Sequence, residues 1–406
     1  MNPTRDKYNA MMRTLLPAAA LACALAPPAS RAGEIGGIEY SGSGFLTVAA
    51  GKMLGGTQGN IGGYNCPCYV SDYANAAIYD GRSAWQLGPD SKLGLQGNAK
   101  LPDQRFSLTA QVVSRGAANG AGDLEWLYLS FKPDNAFTFH LGRQRLPMFY
   151  YSDAQDIGFA LPWIHLPTWL YGWQAVNYDG GSMSYQGYLG AWSANTQVWT
   201  GYEHRSNSGY WKVYGNGAQS ITDVNWTNIL GANLTLSRDW FEARVVYMQS
   251  HTQDQPITNS YNFATQTYSE PAAIAPVARQ RVYGLAMKAD YQNWLVYGEV
   301  ITIDHPGLTY IDYSQNVAVG YRYGGWLPML TWGGYQGGVV TTGVLPGAPA
   351  SVRNSQQTWS LSLRYDLNNN SDLKMEYDQT SDNSDPGFEP RYGSSRLLAI
   401  AYDRVF

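Results

Sequence analysis

The chain has 406 residues and a formal charge of −4, with 14% charged residues, 14% aromatic residues and 44 Gly. An acidic balance leaves no basic footprint for nucleic acid, and three cysteines are too few for a disulfide scaffold. Abundant Gly with 31 Tyr and 14 Trp points to many strands and many turns.

The front of the chain reads as an export signal. Arg5, Lys7 and Arg13 form a positive region, Leu15 to Ala26 an apolar one, and Ser30-Arg31-Ala32 a small-residue cleavage site. The apolar run is shorter than the ~18 residues a membrane-spanning helix needs. Cys23 lies inside that run with apolar residues after it, a poor lipoprotein site. The expected organisation is therefore a cleaved signal over residues 1–32 and a single β unit over 33–406.

Period-2 alternation then predicts sixteen strands in order. They are Ile38–Val48, Lys92–Lys100, Arg105–Arg115, Trp126–Lys132, Ala136–Gly142, Val176–Gln186, Ala194–Tyr202 and Leu230–Leu236. The second half holds Trp240–Tyr247, Tyr283–Tyr291, Leu295–Ile303, Val317–Tyr323, Pro328–Tyr335, Thr358–Leu367, Leu373–Tyr377 and Leu397–Phe406. Seven connections are tight turns, at Pro102-Asp103, Pro133–Asn135, Gly187–Gly190, Arg238-Asp239, Gln292-Asn293, Gly324-Gly325 and Asn368–Asn370. Eight are long, at roughly 51–90, 116–122, 146–175, 204–222, 251–279, 304–314, 337–356 and 379–395. Long and short alternate, so all long loops fall at one end of an up-and-down meander and all tight turns at the other.

One strand shows which solvent each face meets. Trp359, Leu361, Leu363, Tyr365 and Leu367 share a face fit for lipid, while Ser360, Ser362, Arg364 and Asp366 share one fit for water. The expected fold is all-β: a transmembrane antiparallel up-and-down β-barrel of about 16 strands, with short periplasmic turns and long extracellular loops. Closure pairs every backbone group in a medium that offers no partners.

The hairpin "YDLNNNSDLKMEYDQ", the stretch "LGRQRLP" and the terminal Phe406 together resemble a Gram-negative outer-membrane porin of the sixteen-stranded, usually trimeric kind. That resemblance implies an outer-membrane channel for passive diffusion of small polar or anionic solutes, a homotrimer in contact with outer-membrane lipid, and no cofactor. It also implies that the barrel-assembly machinery reads Phe406, although Arg404 departs from the aromatic or apolar residue usual two places earlier. The third long loop, residues 146–175, is expected to fold inward as the constriction, carrying Asp153, Asp156 and Trp169.

Basic side chains on the opposite wall would set selectivity, since rings of charge do so in narrow pores. Lys92, Lys100, Arg105, Arg115, Arg364 and Lys374 have inward parity. Arg143 matches the family position best, yet simple alternation aims it at lipid, at a cost of about 2–4 kcal/mol near mid-bilayer. A bulge at Gly142 would relieve that. Arg143, Arg105, Arg364 and Lys374, set against Asp153 and Asp156, predict weak anion selectivity.

Cys66-Pro67-Cys68 in the first long loop is expected to close as a small staple in an oxidising compartment. Two cysteines without further ligands nearby give no metal site. A substrate-selective channel for a sugar or organic anion is the near alternative, suggested by the aromatic third loop. A barrel enzyme is the distant one. His140, His165, His204, His251 and His305 lie on separate segments and offer no nucleophile–base pair.

Overall fold

A computed structural model of the chain describes residues 31–406, apart from 82–83, 216, 259, 263–266, 270–273, 307–309, 341–350 and 386–391. The expected signal thus lies outside the described residues except for its last two. Those belong to a short strand, Arg31–Ile35, that folds back on Ile38–Gly42.

Sixteen antiparallel strands close into a barrel. We number them β1 (Ile38–Gly56), β2 (Lys92–Lys100), β3 (Phe106–Arg115), β4 (Gly122–Phe131), β5 (Phe137–Arg145), β6 (Asn177–Leu189), β7 (Trp192–Arg205) and β8 (Ile221–Arg238). The rest are β9 (Phe241–Thr258), β10 (Ala278–Tyr291), β11 (Trp294–Asp304), β12 (Tyr310–Tyr321), β13 (Trp326–Val340), β14 (Ser351–Asn368), β15 (Ser371–Asp382) and β16 (Ser395–Val405). Each of the sixteen expected strands lies within or beside one of these. Several run further toward the long loops than their alternation does: Trp240–Tyr247 becomes Phe241–Thr258. No helix among the described residues is long and apolar enough to cross a membrane.

Closure comes from β16, which pairs with β1 from Val405↔Phe45 to Ser395↔Gly56. Phe406 extends the seam: its N–H donates to the Gly44 carbonyl at 2.9 Å, and the Gly44 N–H donates to the Phe406 carbonyl at 2.7 Å. Deleting Phe406 removes both bonds at the strand that finishes the ring, each worth about 1 kcal/mol. The expected outcome is a severalfold drop in heat-modifiable barrel in the outer membrane, read by gel shift. Normal levels would leave Phe406 a role in the seam only.

The two faces of the wall differ as their sequences require. On β14, Trp359 and Leu361 are 50% and 57% exposed, while Ser360 and Ser362, which alternate with them, are buried. Such an apolar outer surface is far larger than a water-soluble monomer tolerates. Next to the tight turns the outer aromatics pair across strands. Trp240 meets Tyr291 at 5.4 Å, Trp294 meets Tyr321 at 4.9 Å and Trp326 meets Tyr365 at 4.4 Å. Their place at one end of the barrel is that of an interfacial girdle.

Candidate pore constriction

The third long loop joins β5 to β6 and is held by side chains of several wall strands in four places. The first anchor is an ion cluster of buried residues. Asp156 accepts from Arg115 Nη2 at 2.7 Å and from Arg145 Nη2 at 2.5 Å, with Lys92 Nζ at 3.7 Å. Glu125 accepts from Arg115 Nη1 at 2.7 Å and lies 3.2 Å from Arg145 Nη1, and Asn177 donates to it at 2.5 Å. Burial alone would raise the pKa of the Asp156 carboxyl. The cations Arg115, Arg145 and Lys92 overrule burial and hold it well below the usual carboxylate range.

The second anchor grips the loop backbone. Lys374 Nζ donates to the Gly158 carbonyl at 2.6 Å and pairs with Asp403 at 2.9 Å. Arg364 Nη1 donates to the carbonyls of Phe159 at 2.7 Å and Leu161 at 3.1 Å, while the same guanidinium pairs with Asp366 and Asp372. A Cβ on Gly158 would sit 1.9 Å from Asp403 Oδ1, so only glycine lets the loop come this close. Lys374 is three residues from the start of β15, which puts this contact near the tight-turn end of the barrel.

The third anchor centres on Glu299 of β11. It accepts from the Tyr150 N–H at 2.9 Å, from the Tyr171 hydroxyl at 2.8 Å and from the Tyr297 hydroxyl. Close by, Trp163 Nε1 donates to Thr331 at 2.8 Å and Trp169 Nε1 to the Gln315 carbonyl at 3.1 Å. The fourth anchor is His165. Its Nδ1 lies 3.1 Å from Asp90 Oδ2, and its Nε2 lies 3.5 Å from Glu376 Oε1, 3.4 Å from Asp378 Oδ2 and 3.1 Å from the Tyr69 hydroxyl. Between the anchors, Met148, Phe149, Trp169, Leu170 and Trp173 pack on Trp199, Trp226, Met248 and Val282 of the wall.

This geometry corrects several expectations. Arg105 is exposed where the β2–β3 turn ends, away from the loop, because its strand begins one residue later. Gly142 has a φ of +132° that few other residues adopt, but the register runs unbroken through it on both sides, so the expected bulge is absent. Instead of opposing Asp156, the Arg143 guanidinium bonds both oxygens of Glu203 at 2.8 Å and Asp179 at 3.0 Å. Arg145, two residues on, takes the place expected of Arg143. Arg364 and Lys374 do meet the loop, but as backbone clamps already paired with carboxylates. Trp169 is 8% exposed and serves as packing. Asp153 stays exposed on a turn of the loop, apart from the Asp156 cluster. Cys66 and Cys68 are joined by a disulfide in the first long loop.

Glu125, Glu376, Asp378 and Asp403 were not singled out from sequence. Their partners come from other strands and loops, 212 residues away for Ile164 and Glu376 and on the two flanking strands for Glu125, so no local spacing announces them. Glu125 carries a second obstacle, since a register shift between Gln111 and Val112 disturbs the alternation of its strand.

A closed sixteen-stranded barrel agrees with comparison to known proteins. A Gram-negative porin family model matches residues 18–385. The chain belongs to the Gram-negative porin family. Among solved structures, the anion-selective porin from Comamonas acidovorans matches this porin with a TM-score of 0.54 and 12% identity, over 91% of this chain and 100% of that one. The outer-membrane channel DcaP of Acinetobacter baumannii matches at 0.53 and 10%, over 92% and 99%. In-vitro folded OmpT of Vibrio cholerae, in its trimer form, matches at 0.52 and 10%, over 91% and 99%. At such identities these structures speak for the fold alone. No curated protein matches this porin. Family and fold make it an outer-membrane channel.

Proposed function

We propose that this porin passes small polar solutes, anions among them, by passive diffusion along a narrow water-filled path beside its third loop. The observation that carries this is the loop itself, clamped to the lumen face of a polar-walled barrel by Asp156, Gly158 and His165. On the long-loop side, a cavity of about 910 Å³ lined by Gln86, Asp123, Arg143, His204, Arg205 and Lys212 suits an entrance vestibule. A specific sugar track is less well supported, because the loop's large rings are committed to packing: Trp163 is 1% exposed, and Trp169 and Trp173 are each 8% exposed. Assembly as a homotrimer, recognition of Phe406 by the barrel-assembly machinery and removal of residues 1–32 belong to the same reading. The trimer form of the Vibrio cholerae protein supports the first of these.

Purified barrel in planar bilayers should give small, stable single-channel steps, and liposomes containing it should swell faster in small polar solutes than in large ones. Folded barrel that conducts nothing would overturn the reading. Charge selectivity should be weak, because Arg115, Arg145, Arg364 and Lys374 each face carboxylates within 3.2 Å. Asp153 is the exposed charge of the loop. Asp153→Asn should therefore shift the zero-current potential in a salt gradient toward anions, and Arg105→Gln should leave it unchanged. A large shift with Arg105→Gln and none with Asp153→Asn would reverse this assignment.

A further inference from the structure

His165 sits among three carboxylates, and the arrangement has the form of a metal site. Asp90, Glu376 and Asp378 are 2%, 1% and 0% exposed, and His165 is 5% exposed. Each of the two β15 carboxylates has one oxygen held by the protein. Glu376 Oε2 accepts from the Ile164 N–H at 2.7 Å, and Asp378 Oδ1 accepts from the Ser360 hydroxyl. Each turns its other oxygen toward the same ring nitrogen, His165 Nε2, at 3.5 and 3.4 Å. Of these, Asp378 Oδ2 is buried without a hydrogen-bond partner.

The opposite ring nitrogen fixes the tautomer. Nδ1 meets Asp90 Oδ2 at 3.1 Å, and Tyr79 donates to that same oxygen at 2.8 Å. With its Nδ1 proton given to Asp90, the imidazole aims the Nε2 lone pair at the two free carboxylate oxygens. A carboxylate behind a histidine in this way is the usual outer support of a histidine metal ligand. Lys92, which lines the same cavity as Asp90 and His165, is directed to Asp156 and the Gln155 carbonyl. Three carboxyl groups around one imidazole crowd acceptor oxygens into a buried site, and any charge they carry there needs a compensating cation.

We propose that His165 Nε2, Glu376 Oε1 and Asp378 Oδ2 bind a divalent transition-metal ion of the zinc class, which ties the third loop to β15. The three atoms lie within 4.8 Å of one another. Ligands about 2.0–2.2 Å from a tetrahedral ion are about 3.3–3.6 Å apart, and the two separations from Nε2 match that edge. One imidazole with two carboxylates suits zinc and its neighbours better than calcium, which takes six to eight oxygens. The Tyr69 hydroxyl, 3.1 Å from Nε2, borders the fourth position. A cavity of about 30 Å³ lined by Asp90 and His165 adjoins the cluster.

The test is zinc binding by the folded, EDTA-stripped barrel, measured by dialysis against zinc chloride and elemental analysis. One zinc per chain is expected for the wild type. His165→Gln and Asp378→Asn should each weaken binding at least tenfold, and Cys66→Ser with Cys68→Ser should leave it unchanged. Current noise through the single channel should rise when EDTA strips the wild type and fall again when zinc is restored. Heat-modifiability on gels establishes that each variant is folded. Should both cluster variants fail to fold, the wild-type stoichiometry decides alone. No zinc on the folded wild type, or zinc retained by both folded variants, would overturn the site and leave an imidazolium held by three carboxylates.

Discussion

Deleting Asp156–Trp169 should raise single-channel conductance severalfold while leaving a folded, heat-modifiable barrel. The sixteen strands close through backbone pairing in which the loop takes no part, so the ring survives its removal. The excised segment carries three of the four anchors, at Asp156, Gly158 and His165, and fills space between opposite walls. The same deletion should lower the temperature at which the barrel unfolds in detergent. It strips cover from Tyr297 and Met329, each 1% exposed in the intact protein, and leaves Lys374 and Arg364 without their backbone carbonyls. Unchanged conductance in a folded deletion would mean that the open path never ran beside this loop.

Asp156→Asn should be the most damaging single change in the loop. It leaves Arg145 with Glu125 and Arg115 with Glu125 and the more distant Asp123, and breaking a buried pair by removing one partner typically costs about 3–5 kcal/mol. Detergent stability should fall accordingly, and the first limb of the loop should come free, giving larger and noisier channel steps. Asp156 also sets an acid dependence. Because its carboxyl is held well below the usual range by Arg115, Arg145 and Lys92, its stabilisation is fully present above the unfolded value of about 3.9. It is lost only as the pH falls below that toward the folded value. Wild-type conductance should therefore stay flat from pH 8 to about 5, as far as this carboxylate controls it. Asp156→Asn should show the large noisy steps across that whole range. A wild type whose loop opens near pH 6, and a variant as quiet as the wild type, would remove Asp156 from this role.

The architecture could be read from the sequence because a barrel wall obeys a local rule. Alternation along a strand such as Thr358–Leu367 records lipid on one side and water on the other, and tight turns such as Gly324-Gly325 record where the chain reverses. The rule fails where the outer medium stops being lipid. Beyond Met248, β9 continues as Gln249-Ser250-His251-Thr252-Gln253-Asp254 with polar residues on both faces, so its strand character left no hydrophobic period. The site was less legible. The expectation that residues 146–175 fold inward came with the porin resemblance, and their length and apolar character fitted it. Which charge meets which depended on register shifts and contacts between distant parts of the chain. Gly142 shows the limit well. The bulge expected there is absent, since the register runs unbroken through Gly142, and Arg143 turns to Glu203 and leaves Asp156 to Arg145. His165 shows it again, since its carboxylates come from the first long loop and from β15.

The length of the strands has a consequence for what lies outside the cell. β8, β9 and β14 each run for 18 residues, about 60 Å along the strand at 3.3 Å per residue. A tilt near 40° turns that into a height of roughly 45 Å, against an apolar band of about 25 Å. Tight turns at one end leave no slack there, so the surplus rises on the other side as a collar of hydrogen-bonded sheet. Anything approaching from the surroundings meets a stiff parapet standing clear of the lipid headgroups.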